Sequence, residues 1–352
     1  MSGNGILPAA VCCGAVVIAA EPAVIPLLRK LGAIDLPGPR SSHTTPTPRG
    51  GGLPVVLGLL TATALIRGAA AVPFGAATGF FGALGFADDL RGLTAMRRLV
   101  LQGAGSAGIA ALLVARLHLP LVALAAATAV TSVWVMGFVN AFNFMDGVNG
   151  ISAAHTLIAG VAYACFGEWR QNSFLVAFGL AVAAAALAFL PWNAGRARVF
   201  LGDVGSYALG AALAVLAVTS VIHGLPVEAA VGPLALYLAD TAWTLQRRIR
   251  SGERWMQSHR SHTYQRWCDL GWSHQEVTLL TGAVTVLLSL LGMLSLTGHP
   301  MLRIAADLSG LLLLGGYLRS PAWLGHPGLP QPPGQADRLG RHREPELQGE
   351  PG

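Results

Sequence analysis

Four aspartates stand out in a chain that otherwise has little charge. Asp88 and Asp89 are adjacent in FADDLRG, Asp146 lies among three asparagines in NAFNFMDGVNGIS (Asn140 to Ser152), and Asp203 lies in VFLGDVGSYALG. Clustered carboxylates suit a hard divalent cation such as Mg²⁺, which takes one or two of them and fills its other positions with water and phosphate oxygens. The remaining polar stretches suit anions. RSSHTTPTPRGGGLP (Arg40 to Pro54) sets Arg49 before three glycines, where bare backbone allows close approach to a ligand and offers N–H groups to anionic oxygens. HRSHTYQRW (His259 to Trp267) ends a long basic stretch, and arginine pairs with phosphate through two-pronged hydrogen bonds.

The elements that must position these residues are membrane helices. Of 352 residues, 53% are hydrophobic and 11% charged, against roughly 25% charged in an ordinary soluble domain. Apolar runs long enough to cross a bilayer recur along nearly the whole sequence. Hydropathy predicts eleven spans, near 6–28, 51–66, 70–87, 99–115, 119–139, 150–166, 173–190, 204–221, 226–243, 276–297 and 301–318. The expected fold is an all-α polytopic membrane bundle over 1–319, followed by a Pro/Gly-rich, disordered tail over 320–352. The first run lacks the basic flank and cleavage pattern of a secretion signal, so it reads as a retained span.

Connections between these spans fall alternately on two sides. Of 23 basic residues, only Arg67, Arg116, Arg170 and Arg303 fall on one side, so the other side is expected to be cytoplasmic. The amino terminus then lies outside, in the periplasm, and the carboxyl terminus inside. All five polar stretches, numbered in chain order as motifs one to five from RSSHTTPTPRGGGLP to HRSHTYQRW, lie on the cytoplasmic side. An isolated aspartate there serves equally well as a helix cap or a snorkelling side chain. Independent caps, however, have no reason to share one face with the histidines and most arginines. Carboxylates, phosphate clamps and access to lipid together point to phosphoryl-group chemistry on a lipid.

In order and spacing, FADDL, NAFNFMDGVNGIS, FLGDVGS and HRSHTYQR resemble the polyprenyl-phosphate N-acetylhexosamine-1-phosphate transferases, the superfamily that includes phospho-MurNAc-pentapeptide translocase and the O-antigen and common-antigen initiators. The resemblance runs from about Arg40 to Glu276. It implies transfer of an N-acetylated sugar 1-phosphate from a UDP-sugar to undecaprenyl phosphate, with release of UMP, at the bacterial cytoplasmic (inner) membrane. It also implies Mg²⁺, or Mn²⁺ in its place, on Asp203 with Asn143 beside it. Asp88 and Asp89 match the acidic pair at the lipid phosphate, and Asp146 matches the essential acid of the third motif. His259, His262 and Arg266 match the basic loop over the diphosphate, while Arg49, Asn149 and Gly202 are expected at the substrate. Asn149 stands where the family commonly has a second aspartate; an amide still offers a donor and an acceptor to a base edge.

The form HRSHTYQRW is similar to that of O-antigen initiators, whereas the pentapeptide-handling relatives carry a run of histidines. That favours GlcNAc or a related N-acetylhexosamine as the sugar. The rival from another class is a transporter or flippase of an anionic lipid or nucleotide sugar, although transport sites favour the midplane. Nucleic acid is not expected as a partner, and the sequence leaves pairing into a homodimer open. Asp240 reads equally well as a histidine partner, a metal partner or a helix-end residue. Cys12, Cys13, Cys165 and Cys268 show no disulfide or metal spacing and read as small core residues.

Overall fold

The computed structural model describes residues 5–37, 45–66, 68, 71–253 and 260–324. Each expected span contains helix, because long apolar runs satisfy their backbone polar groups internally only as helix. The elements are α1 (Ile6–Lys30), β1 (Ile34–Asp35), β2 (Thr47–Pro48), α2 (Gly52–Leu65), α3 (Ala71–Arg91), α4 (Ala95–Val114), α5 (Leu121–Met145), α6 (Ile151–Trp169) and α7 (Ser173–Asn193). They continue with α8 (Gly202–Ile222), α9 (Val227–Val231), α10 (Ala235–Arg250), α11 (Thr263–Asp269), α12 (His274–Ser295) and α13 (Pro300–Leu324). The chain is thus an all-α polytopic membrane protein. Among the described residues, seven helices, α1, α4 with its terminal 3-10 turn, α5, α7, α8, α12 and α13, are long and apolar enough to cross a membrane.

The ninth expected span, 226–243, is not one helix. It breaks into α9, a 3-10 turn at Gly232–Leu234 and α10, because Pro233 provides no N–H and glycine precedes it. At the carboxyl end, α13 runs past the expected limit to Leu324, so the anticipated tail lies, beyond that residue, outside the described residues. Of the four cysteines, Cys13 alone is buried; Cys12 and Cys165 are exposed on the helix surface and Cys268 is half-buried.

α8 is the central post, buried along almost its whole length between α3 and α5. Its amino-terminal end is held by the segment that precedes α2. β1 and β2 pair antiparallel, with Ile34 opposite Pro48 and Asp35 opposite Thr47, and Arg49 bridges to Phe200 in parallel. The N–H groups of Gly50 and Gly51 both donate to the Phe200 carbonyl, and that of Gly52 to the Leu201 carbonyl (2.8 Å). The glycine run therefore approaches protein backbone rather than a ligand: a Cβ on Gly52 would stand 2.2 Å from the Gly205 Cα. Two glycine-rich stretches far apart in sequence are glycine-rich because they touch each other.

Candidate active site

One cleft of about 280 Å³ opens where α3 and α5 end and α6, α8 and α12 begin. Its lining includes Arg49, Asp89, Asn143, Asp146, Asn149, Gly202 and Asp203. Seven of the residues expected from sequence thus meet in one place, drawn from the ends of different helices. A second pocket of about 550 Å³ adjoins it across Asn149, Phe200 and His274 and extends past Thr45, Thr47 and Arg196.

The acids do different things. Asp203 Oδ1 accepts a hydrogen bond from Asn143 Nδ2 (2.7 Å), and the same amide donates to Ser206 Oγ (2.9 Å), which leaves the Asn143 carbonyl as the free end of that side chain. Asp89 accepts from the backbone N–H groups of Asp203 (3.1 Å) and Val204 (3.0 Å), and so caps α8 from another helix. Arg49 holds the same carboxylate, with Nε 3.4 Å from Asp89 Oδ1, and donates to the Asp89 carbonyl (3.1 Å). Asp88 lies deeper and outside the cleft lining. Its Oδ2 accepts from the Tyr207 hydroxyl (2.8 Å) and faces Arg98 (3.6 Å), while its Oδ1 accepts from Leu93 N–H (2.7 Å). Both oxygens of Asp88 are thus engaged within the protein.

Asp146 follows directly on the last residue of α5. Burial pushes its carboxyl up to about 7, and the nearby Asp203 charge pushes the same way. Asn149 donates its amide to the Gly195 carbonyl (2.7 Å), and its backbone N–H to His274 Nδ1 (3.3 Å). One amide N–H and the amide oxygen remain for a ligand, so the expected donor-and-acceptor role stays available.

The sequence profile of glycosyl transferase family 4 matches residues 71–221. The chain is 31% identical to decaprenyl-phosphate N-acetylglucosaminephosphotransferase of Mycobacterium leprae, over 72% of this chain and 74% of that one. The chain belongs to glycosyl transferase family 4. A phospho-N-acetylmuramoyl-pentapeptide-transferase of Geobacillus kaustophilus is 31% identical over 79% of this chain and 93% of its own. A probable undecaprenyl-phosphate N-acetylglucosaminyl 1-phosphate transferase of Bacillus subtilis is 27% identical over 75% and 77%. The family-4 profile covers α3 to α8, and hence every expected acid of the cleft. The walls supplied by Arg49, Gln265 and His274 lie outside it.

In this family-4 chain the fifth motif is arranged differently from expectation. His259 lies outside the described residues. His262 is 3% exposed, with Nδ1 3.3 Å from Asp240 Oδ1, and it lies outside the cleft lining. Arg266, half-buried on α11 within electrostatic reach of Arg247, is likewise absent from the lining, and Gln265 reaches the cleft from that helix instead. Asp240 is a hub: it also accepts from Thr263 N–H (2.9 Å), Thr244 Oγ1 (3.2 Å) and the Tyr317 hydroxyl (3.2 Å). It fixes the start of α11 and ties it to α10 and α13. The sequence reading passed over His274. Its one signal was position, directly after Ser273 in the S-H-Q-E capping box that starts α12 at the cleft.

Proposed function

We propose that this family-4 enzyme transfers an N-acetylhexosamine 1-phosphate from a UDP-sugar to undecaprenyl phosphate, releasing UMP and initiating an envelope polysaccharide such as O-antigen. The observation that carries this reading is the convergence of Arg49, Asp146, Asn149 and Asp203 on one cleft. In this reading all eleven apolar segments cross a bacterial inner membrane, the amino terminus lies outside, and the cleft opens to the cytoplasm, where nucleotide sugars are made.

Among the described residues no three His, Cys, Asp or Glu side chains gather closely enough to enclose a metal ion. That donor set still fits Mg²⁺, which takes one or two carboxylates and leaves its other positions to water and to substrate phosphates. Asp203 would hold it with the Asn143 carbonyl, and the repulsion between Asp203 and Asp146 is what a cation there would relieve. When bound it supplies neutralisation of the diphosphate.

The chain's own residues orient and stabilise. Arg49 lines the cleft beside Asp89 and pairs with a phosphate. The Asn149 carbonyl accepts from the N3–H of uracil, a role that aspartate and asparagine can both fill. The acidic pair positions rather than abstracts: Asp89 sets α8 and Asp88 sets Tyr207 and Arg98, and a phosphate monoester needs no strong base, since its second pKa is about 6. The lipid phosphate oxygen attacks the phosphorus next to the sugar. A new P–O bond forms there, the bond to the bridging oxygen breaks, and UMP leaves with that oxygen.

The test is UMP release by the purified protein with undecaprenyl phosphate, Mg²⁺ and a panel of UDP-sugars that includes UDP-MurNAc-pentapeptide. The last is the second reading, favoured by the high coverage of the Geobacillus relative. Turnover is expected with a UDP-N-acetylhexosamine, and a loss of about 100-fold or more in Asp203→Asn at unchanged folding. No UMP from any donor would sink the enzyme reading in favour of a carrier.

A further inference from the structure

Behind the cleft three helices turn polar faces toward one another inside the bundle. α6 contributes Ser152, His155 and Thr156, and α10 contributes Tyr237, Asp240 and Thr241, each set at the i, i+3, i+4 spacing of one helix face. α12 adds Thr281 and Thr285. The His155 ring lies flat on Tyr237 with centroids 3.7 Å apart, and its Nδ1 is 3.3 Å from Thr285 Oγ1. Phe142 closes the edge, with its centroid 6.1 Å from His155 and 5.5 Å from Tyr237.

Among the described residues, five polar atoms on these faces are buried without a hydrogen-bond partner: Ser152 Oγ, His155 Nε2, Thr156 Oγ1, the Tyr237 hydroxyl and Thr241 Oγ1. Helical hydroxyls ordinarily donate back to the carbonyl four residues earlier, as Thr281, Thr285 and Ser289 all do here. Ser152, Thr156 and Thr241 do not. The Thr285 hydroxyl proton is already given to Thr281, so His155 Nδ1 must be the donor to Thr285, and His155 Nε2 is left as an acceptor. One acceptor and four hydroxyls therefore stand unused in one region. The Ser152 side chain comes within interaction range of both the Asp146 carboxyl and the Tyr237 hydroxyl, and the Asp146 and Asp240 charges also reach Tyr237, yet neither hydroxyl closes to direct hydrogen-bond geometry. Such near misses between polar groups are the spacing that a bridging water fills. Left dry, five orphans would together offset a stability of the size of an ordinary domain's.

We propose that a polar chamber between α6, α10 and α12 binds a chain of internal water molecules that joins Asp146 to Asp240 through Ser152 and Tyr237. It holds the acid of the third motif and the histidine of the fifth in one hydrogen-bonded network, because Asp240 in turn fixes His262.

The test is X-ray radiolytic footprinting of the full-length protein in detergent, in which bound internal water yields hydroxyl radicals in place and oxidises its neighbours. Tyr163 is the control, a fully buried tyrosine whose hydroxyl donates to the Ala230 carbonyl (2.6 Å). Oxidation of Tyr237 and His155 about tenfold faster than Tyr163 is expected, because only they border water. Rates as slow as that of Tyr163 overturn the proposal. Tyr237→Phe gives a second reading that does not depend on transfer activity. A hydrated chamber loses a partner, so Tm falls and His155 oxidation slows; a dry chamber loses an orphan, and a rise in Tm overturns the proposal.

Discussion

Asn149 shows how one hydrogen bond decides what a residue can do. Its amide donates to the Gly195 carbonyl, and its carbonyl faces the cleft. Restoring the aspartate common in the family would set a carboxylate oxygen against the Gly195 carbonyl, with no proton between them. Asn149→Asp is therefore expected to raise KM for the nucleotide sugar about tenfold, the equivalent of one lost buried hydrogen bond, with kcat little changed. Steady-state kinetics check this, and an unchanged or lower KM would mean that the Gly195 contact does not set the side chain. The types of the candidate site residues were legible in the sequence, but their partners were not. Asp89 and Asp240 both cap helices, as the plainest reading of an aspartate at a helix end allows. The helices they cap begin far from them in sequence, at Gly202 and Thr263. Capping rules look only a few residues along the chain, so Asp89 read as either a local device or a catalytic acid, and Asp240 as a helix-end residue or a partner of histidine or metal.

At the scale of elements, the helices were legible because hydropathy alone identifies a membrane span. The break in the ninth was signalled only by Gly232 and Pro233, and the docking of α11 had no local signal. That docking depends on Tyr264, which is 1% exposed and donates to the Phe144 carbonyl at the end of α5 (2.9 Å). Its hydroxyl occupies the space beside Gly147, where a Cβ would stand 2.1 Å away. The glycine after Asp146 is thus required by a side chain of the fifth motif. Gly147→Ala is expected to cost about 2 kcal/mol, the usual scale for overpacking, by expelling Tyr264 from its seat. Adding Tyr264→Phe removes the clashing oxygen and is expected to recover about half of that loss, a coupling of the size that touching residues show. Thermal denaturation in detergent measures both, and strictly additive losses would mean that the two residues do not share the contact.

The whole molecule is polarised, and that polarity predicts its orientation. Lys30, Arg49, Arg98, Arg196, Arg247 and Arg266 lie in or beside the connections at the end of the bundle that carries the cleft. The opposite connections hold Arg116, Arg170 and Arg303, and the last is neutralised by an ion pair with Glu228. Basic residues are retained on the cytoplasmic side during insertion, and a nucleotide-sugar donor is available only there. Two independent arguments, one from biogenesis and one from the supply of the proposed nucleotide sugar, therefore predict the same face inward. A cysteine at Thr297, exposed between α12 and α13, should react with a membrane-impermeant maleimide in intact spheroplasts. One at Ser251, exposed at the end of α10, should react only after lysis, both in a background lacking the four native cysteines. The reverse pattern would turn the cleft away from the cytoplasm and separate it from any UDP-sugar, leaving the convergence of aspartates without a donor to act on.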